Sequence, residues 1–150
     1  GQIELFAFRH SSRRTIEAFG RDRSMLLYLF DPFLAQTAVG FVSELMLSAT
    51  VEFRFGLPFL PVLGKADMVD EDVREKVLSW SDDPEALNAA LDGEEATMDH
   101  QLSTGLFRSL EELGVYKSLI AASAEDGTGV GDIYAQAENI FHGGEDPERR

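Results

Sequence analysis

Three short apolar runs constrain this chain more than anything else in it: Met25–Phe30, Phe59–Leu63 and Tyr116–Ala122. The first two are continuous rather than alternating, the third becomes so from Leu119 after Lys117-Ser118, and all are short for a buried helix, the pattern of a strand covered on both faces. The stretches between them are long enough for helical crossovers, which parallel neighbours require. The order strand, helix, strand, helices, strand, helix predicts an α/β fold, a mainly parallel sheet layered between helices as a three-layer sandwich. On such sheets ligands bind beyond the C-terminal ends of the strands. The residues just past the end of each run are therefore the first candidates for function.

The connections read as helices with recognisable ends. Glu4 to Phe19 carries Leu5, Phe8, Thr15, Ile16 and Phe19 at helical spacing, with a basic polar face, and stops at Gly20. The first strand ends at Asp31-Pro32. Phe33 to Phe55, with Leu34, Ala38, Phe41, Val42, Leu45, Met46 and Ala49 in register, predicts one long helix broken by Gly56-Leu57-Pro58. Pro61 has no N–H for a ladder, so a bulge or a missing bond is expected there. Asp70–Leu78, Pro84–Leu91 and Glu94–Leu113 read as helices separated by acidic turns, a helical insertion over about 70–113. Val130 to Phe141 closes the chain with Val130, Ile133, Tyr134, Ala137, Ile140 and Phe141 on one stripe, before a tail over 143–150 expected to be disordered.

Composition narrows the function classes. Cysteine is absent, which excludes disulfides and Cys-ligated metal. Against 27 acidic residues stand 13 basic ones, a formal charge of −14 that opposes binding to nucleic-acid phosphates and anionic membranes. No apolar run is long enough to span a bilayer, and no signal-peptide pattern opens the chain, so a cytoplasmic protein is expected. An acidic surface with only Lys65, Lys76 and Lys117 as lysines resembles that of proteins from salt-adapted organisms, and a halophilic archaeal source is expected. His10, His100 and His142 lack ligand spacing, and no metal site is predicted. Trp80 and the phenylalanines read as core or interface. Arg13-Arg14 beside Ser11-Ser12 reads as an intramolecular salt-bridge surface or a dimer contact.

The second and third runs are followed by Gly64-Lys65-Ala66-Asp67 and by Ser123-Ala124, the latter leading through Glu125-Asp126-Gly127-Thr128-Gly129 into the last helix. Taken singly, each has a plain reading: Asp67 as the cap of the helix beginning near Asp70, and Ser123-Ala124 as an ordinary turn. Together they resemble the NKxD guanine box and the SA box of P-loop GTPases. The opening Gly1-Gln2-Ile3-Glu4-Leu5-Phe6 resembles the end of the DTPGQxE segment of GPN-loop GTPases, and Asp31, Phe41-Val42-Ser43 and Leu57-Pro58 follow in that family's order, through about residue 141.

The resemblance implies the C-terminal half of a P-loop NTPase domain, residues 1–142, and a nucleotide-binding site for GTP or GDP. In it Asp67 reads the base, the Lys65 stem lies along it, and the Ser123-Ala124 turn offers the Ala124 N–H to the guanine carbonyl. A carboxylate accepts from both the ring N–H and the exocyclic amine of guanine, whereas adenine presents no such donor pair. Gly1 is implied at the γ-phosphate and Gln2 and Glu4 as catalytic residues around the attacking water; apart from the resemblance, Gln2 and Glu4 read as a helix N-terminus. A homodimer acting as a switch or assembly factor is also implied.

Two departures qualify this. The chain has no Walker A loop (GxxxxGK[ST]) and no Gly-Pro-Asn loop, so it is expected to be part of a longer protein, with a separate polypeptide supplying the missing half as the alternative, and to be inactive alone, with Mg²⁺ only when that half is present. Gly64 stands where the guanine box has Asn, a loss of about one hydrogen bond, on the order of 1 kcal/mol. Alternatives are a nonenzymatic interaction domain derived from a GTPase, or an ATP- or metabolite-binding α/β protein.

Overall fold

Strand β1 (Leu26–Phe30) pairs with β2 (Phe59–Leu63), and β2 with β3 (Ile120–Ala121), all in parallel and in the order β1-β2-β3. The computed structural model describes residues 7, 9–94, 98–114 and 116–143. Around the sheet lie α1 (His10–Phe19), α2 (Pro32–Ala35), α3 (Ala38–Phe55), α4 (Glu71–Asp82), α5 (Pro84–Gly93), α6 (Met98–Glu112) and α7 (Val130–His142). The α/β architecture expected from the three runs is therefore the one observed.

The main core lies on one face of the sheet. Tyr28 and Phe30 of β1 and Leu63 of β2 meet Phe41, Val42 and Leu45 of α3, Val77 and Trp80 of α4, Leu87 and Leu91 of α5, and Phe107 of α6. Rings run continuously through it, Phe30 to Phe41 at 5.8 Å and Phe41 to Trp80 at 5.9 Å between centroids. On the other face a smaller cluster of Leu60, Val62 and Ala122 receives Ile133 of α7. Helices on both faces make three layers.

The second face departs from the sequence reading. A strand covered on both sides is expected at β1, yet Leu27 and Leu29 are exposed, at 42% and 64%. Among the described residues the cluster on that face, Leu60, Val62 and Ala122 with Ile133 of α7, includes neither Leu27 nor Leu29. The apolar stripe of α7 is correspondingly half used, because Ile133 packs inward while Val130 and Tyr134 stay exposed.

The segment predicted as one long helix is two. Asp31 caps the single-turn α2 by accepting from Phe33 N (2.9 Å) and Leu34 N (3.4 Å), with Pro32 in the first turn. After Gln36 the chain restarts as α3 because its N-terminal donors find new acceptors. Thr37 Oγ1 takes Gly40 N at 3.1 Å, and Glu94, from beyond α5, takes Ala38 N at 2.7 Å. At the other end Gly56 stops α3, and the Arg21 guanidinium donates to the Phe55 and Gly56 carbonyls, a cation where the helix dipole favours one.

Pro61 makes no bulge, since β2 stays in register with β1 from Leu26↔Phe59 to Phe30↔Leu63. Its effect falls on β3 instead. Gly64 N donates to Phe30 O and Ala122 N to Leu63 O, so by alternation the N–H of residue 61 would point toward β3 and serve the carbonyl of Ser118. Proline cannot donate, and the ladder begins only at Ile120. The strand expected over Tyr116–Ala122 is thus two residues long. The preceding Leu119 N–H donates to Ser81 Oγ of α4 at 3.1 Å.

Candidate functional site

Two loops leave the C-terminal ends of the neighbouring strands β2 and β3, and one hydrogen bond ties them together: Ala66 N donates to Ala122 O at 3.0 Å. Ala66 is fully buried between the loops, so the segments carrying Lys65-Ala66-Asp67 and Ser123-Ala124 are held at a fixed separation.

The first loop turns abruptly. Gly64 N donates to Phe30 O at 3.1 Å, continuing the β1–β2 ladder by one bond. Lys65 then adopts a left-handed backbone, φ 51°, the one non-glycine residue to do so among those described. Such a conformation is costly for a side chain with a Cβ and concentrates at ligand-binding turns. A single 3₁₀ turn, Ala66–Met68, succeeds it, closed by Met68 N to Lys65 O at 2.9 Å. Asp67 lies in that turn, exposed, and its carboxylate has no hydrogen-bond or ion-pair partner among the described residues. The plain reading of Asp67 as a helix cap is not realised: α4 starts at Glu71 with Asp70 at its N-cap.

The second loop is built on Ser123, which is buried. Its hydroxyl accepts from Glu125 N (3.1 Å) and Asp126 N (3.4 Å), its carbonyl accepts from Gly127 N (3.1 Å), and its N–H donates to Thr128 O (3.0 Å). Asp126 in turn accepts from Thr128 N at 2.9 Å, a bond that holds its carboxyl below the ordinary range. Gly129 closes the loop against the strand. At φ 71° with Ala121 O where a Cβ would stand, 2.0 Å from it, only glycine fits. The result leaves Ala124 exposed at the tip, its backbone N–H unclaimed by the loop's own bonds.

The structure therefore brings Lys65, Asp67, Ser123 and Ala124 to one edge of the sheet, with Ser123 turned inward as the anchor and the others outward. One outward acceptor and one outward backbone donor, on loops bonded to each other, form a unit able to read the edge of a planar, hydrogen-bonding ligand. Gly64 has no left-handed requirement, and a Cβ there would meet Leu29 Cβ at an ordinary 3.6 Å, so the absence of a side chain is not imposed by the fold. Gly1, Gln2 and Glu4 lie outside the described residues. Among the described residues there is no group of three or more His, Cys, Asp or Glu able to hold a metal ion, and no helix long and apolar enough to cross a membrane.

Sequence reasoning missed two things near this edge. One is the Ala66–Ala122 bond, which has no side-chain signature. The other is Glu44, buried on α3, which accepts from Tyr28 Oη at 3.1 Å and from the Asp31 N–H at the end of β1. Its signal was available: a carboxylate at helical spacing within the row Phe41, Leu45, Ser48 is out of place unless it has partners.

Comparison with known proteins gives the chain its relatives. Residues 1–143 match the family described as "Conserved hypothetical ATP binding protein". Among curated proteins, the GPN-loop GTPase QQT2 of Arabidopsis thaliana is 27% identical over 134 residues, covering 85% of this chain and 34% of that protein. Among solved structures, the apo form of a GTPase from Pyrococcus abyssi superposes with a TM-score of 0.79 at 19% identity, over 93% of this chain and 55% of that one. The chain thus spans about a third of the plant relative and little more than half of the archaeal structure. With nearly its whole length matched by the family and its fold that of a GTPase, the chain belongs to the GPN-loop GTPases.

Proposed function

We propose that this chain supplies the base-reading half of a guanine-nucleotide site, and that GTP is bound and hydrolysed when a phosphate-binding loop from an upstream half completes it. The observation that carries this reading is the presence of the Asp67 carboxylate and the Ala124 N–H, neither with a partner among the described residues, on two loops joined by the Ala66–Ala122 bond. The carboxylate accepts from the guanine ring N–H and amine, the Ala124 N–H donates to the guanine carbonyl, and the Lys65 stem covers the base plane. The family description speaks of ATP, but adenine offers Asp67 no donor pair, and guanine is the better fit. Ser123 contributes by fixing Ala124.

On this reading residues 1–142 are the C-terminal part of a GTPase domain, with an insertion at about 70–113 and a tail at 143–150. Gly1, Gln2 and Glu4 serve the γ-phosphate and the attacking water, where positioning and charge stabilisation suffice. The 150 residues contain no GxxxxGK[ST] loop, so the chain alone is inactive and Mg²⁺ enters with the upstream half. The complete protein is a cytoplasmic homodimer acting as a switch or assembly factor.

The test is Asp67→Asn in a chain extended upstream through the phosphate loop. The carboxamide opposes a donor to the guanine amine but donates to the carbonyl that xanthine carries there. Guanine affinity is expected to fall about tenfold to a hundredfold, the worth of a charged acceptor in a desolvated site, and xanthosine triphosphate affinity to rise. Unchanged affinity for both nucleotides would remove Asp67 from the base site.

A further inference from the structure

The acidity of this chain is unevenly distributed. Residues 9–23 hold five of its 13 basic residues, all arginines, and two of its 27 acids, so the remainder has 8 basic against 25 acidic residues, a net of −17. Among the described residues the Arg21 side chain alone of these five has an internal partner, the α3 C-terminus. Arg9, Arg13 and Arg14 are exposed and have no ion-pair or hydrogen-bond partner among the described residues. The salt-bridge surface expected there is absent from the described residues. Helix α1 is seated through Ser12 and Ile16, which leaves Arg14 opposite the seat, Arg13 on its flank and Arg9 at the N-cap. Glu17, one turn beyond Arg13, is the only acid on α1.

We propose that this outward face of α1 is a docking surface for an acidic polypeptide segment. The planar guanidinium forks match carboxylates bidentately and shed water more readily than ammonium groups, which is why arginine is enriched at interfaces. The size of the patch chooses between polyanions. Ten residues rising about 1.5 Å each make α1 about 15 Å long, room for a short run of carboxylates. A nucleic acid, with a charge about every 1.7 Å of duplex, would run past the helix onto the acidic remainder. At physiological salt that remainder is screened beyond about 8–10 Å, so it does not prevent a short segment from docking.

The experiment is fluorescence anisotropy of a dye-labelled twelve-residue peptide with six glutamates, titrated with the chain at low and physiological salt. The variants are R13E/R14E and, with the same change in net charge on other helices, R74E/R108E, each checked for its fold by circular dichroism. Saturable binding that weakens with salt, falls about tenfold or more in R13E/R14E and is unchanged in R74E/R108E supports the proposal. No saturable binding, equal loss in both variants, or tighter binding of a single-stranded oligonucleotide of the same length overturns it. The peptide readouts require neither GTP nor GDP, so they are independent of the base-reading site.

Discussion

Glu44 is the only charged side chain buried among the described residues, and its environment works in two directions. Burial raises its pKa above the ordinary carboxylate value, while the hydrogen bonds from Tyr28 and the Asp31 N–H oppose that shift. A raised folded-state pKa means the folded protein holds the proton more tightly than the unfolded chain. The stability this contributes is complete below the ordinary value near 4.5 and is lost as pH rises through the folded value. Glutamine cannot ionise, and its oxygen still accepts from the Asp31 N–H. Glu44→Gln is therefore expected to raise the melting temperature by a few degrees at pH 7 and to leave it unchanged at pH 4. Thermal melts at both pH values check this, and a variant less stable at pH 7 would show that the charged hydrogen bonds outweigh desolvation.

At the scale of elements, two glycines at the site make opposite predictions. Gly129→Ala places a Cβ against Ala121 O in a backbone that disfavours it, and should cost roughly 2–4 kcal/mol. Gly64→Ala meets only ordinary contacts at a position with no left-handed requirement, and should be neutral or stabilising by about 0.4–1 kcal/mol through the unfolded chain. Urea denaturation of the two variants distinguishes them; a destabilised Gly64→Ala would mean that the fold itself demands glycine there. These elements also show what the sequence made legible. β2, α5 and α7 fall where apolar runs and flanking Pro or Gly placed them, because both signals are local. The division of α2 from α3 was only half legible, since Thr37 is a local cap but Glu94 reaches Ala38 from 56 residues away. Nor was the short β3, because the residue that limits it, Pro61, lies on another strand. That Asp67 and Ala124 lie on neighbouring loops at one end of the sheet was legible in the positions of their motifs, whereas the bond that holds those loops together joins two backbone groups and leaves no mark on composition.

For the molecule as a whole, the sheet ends at β1 with Leu27 and Leu29 exposed and no strand beyond it among the described residues. Exposed apolar side chains next to an unpaired edge favour association. The 150-residue chain is expected to self-associate in a concentration-dependent way, and Leu27→Lys with Leu29→Lys should return it to a monomer. Light scattering after size exclusion measures this; a parent chain monomeric at every concentration would show that the open face is tolerated in water.

The two-residue β3 has a mechanical consequence. Beyond its short ladder, the Ser123 loop hangs on the Ala66–Ala122 bond, while Leu119 is moored to α4 through Ser81. With few bonds between the strands there, this loop is expected to open before the aromatic core does. A base wedged between Asp67 and Ala124 would then act as an extra rung across both loops, so that occupancy of the site is felt first as slower opening of β3.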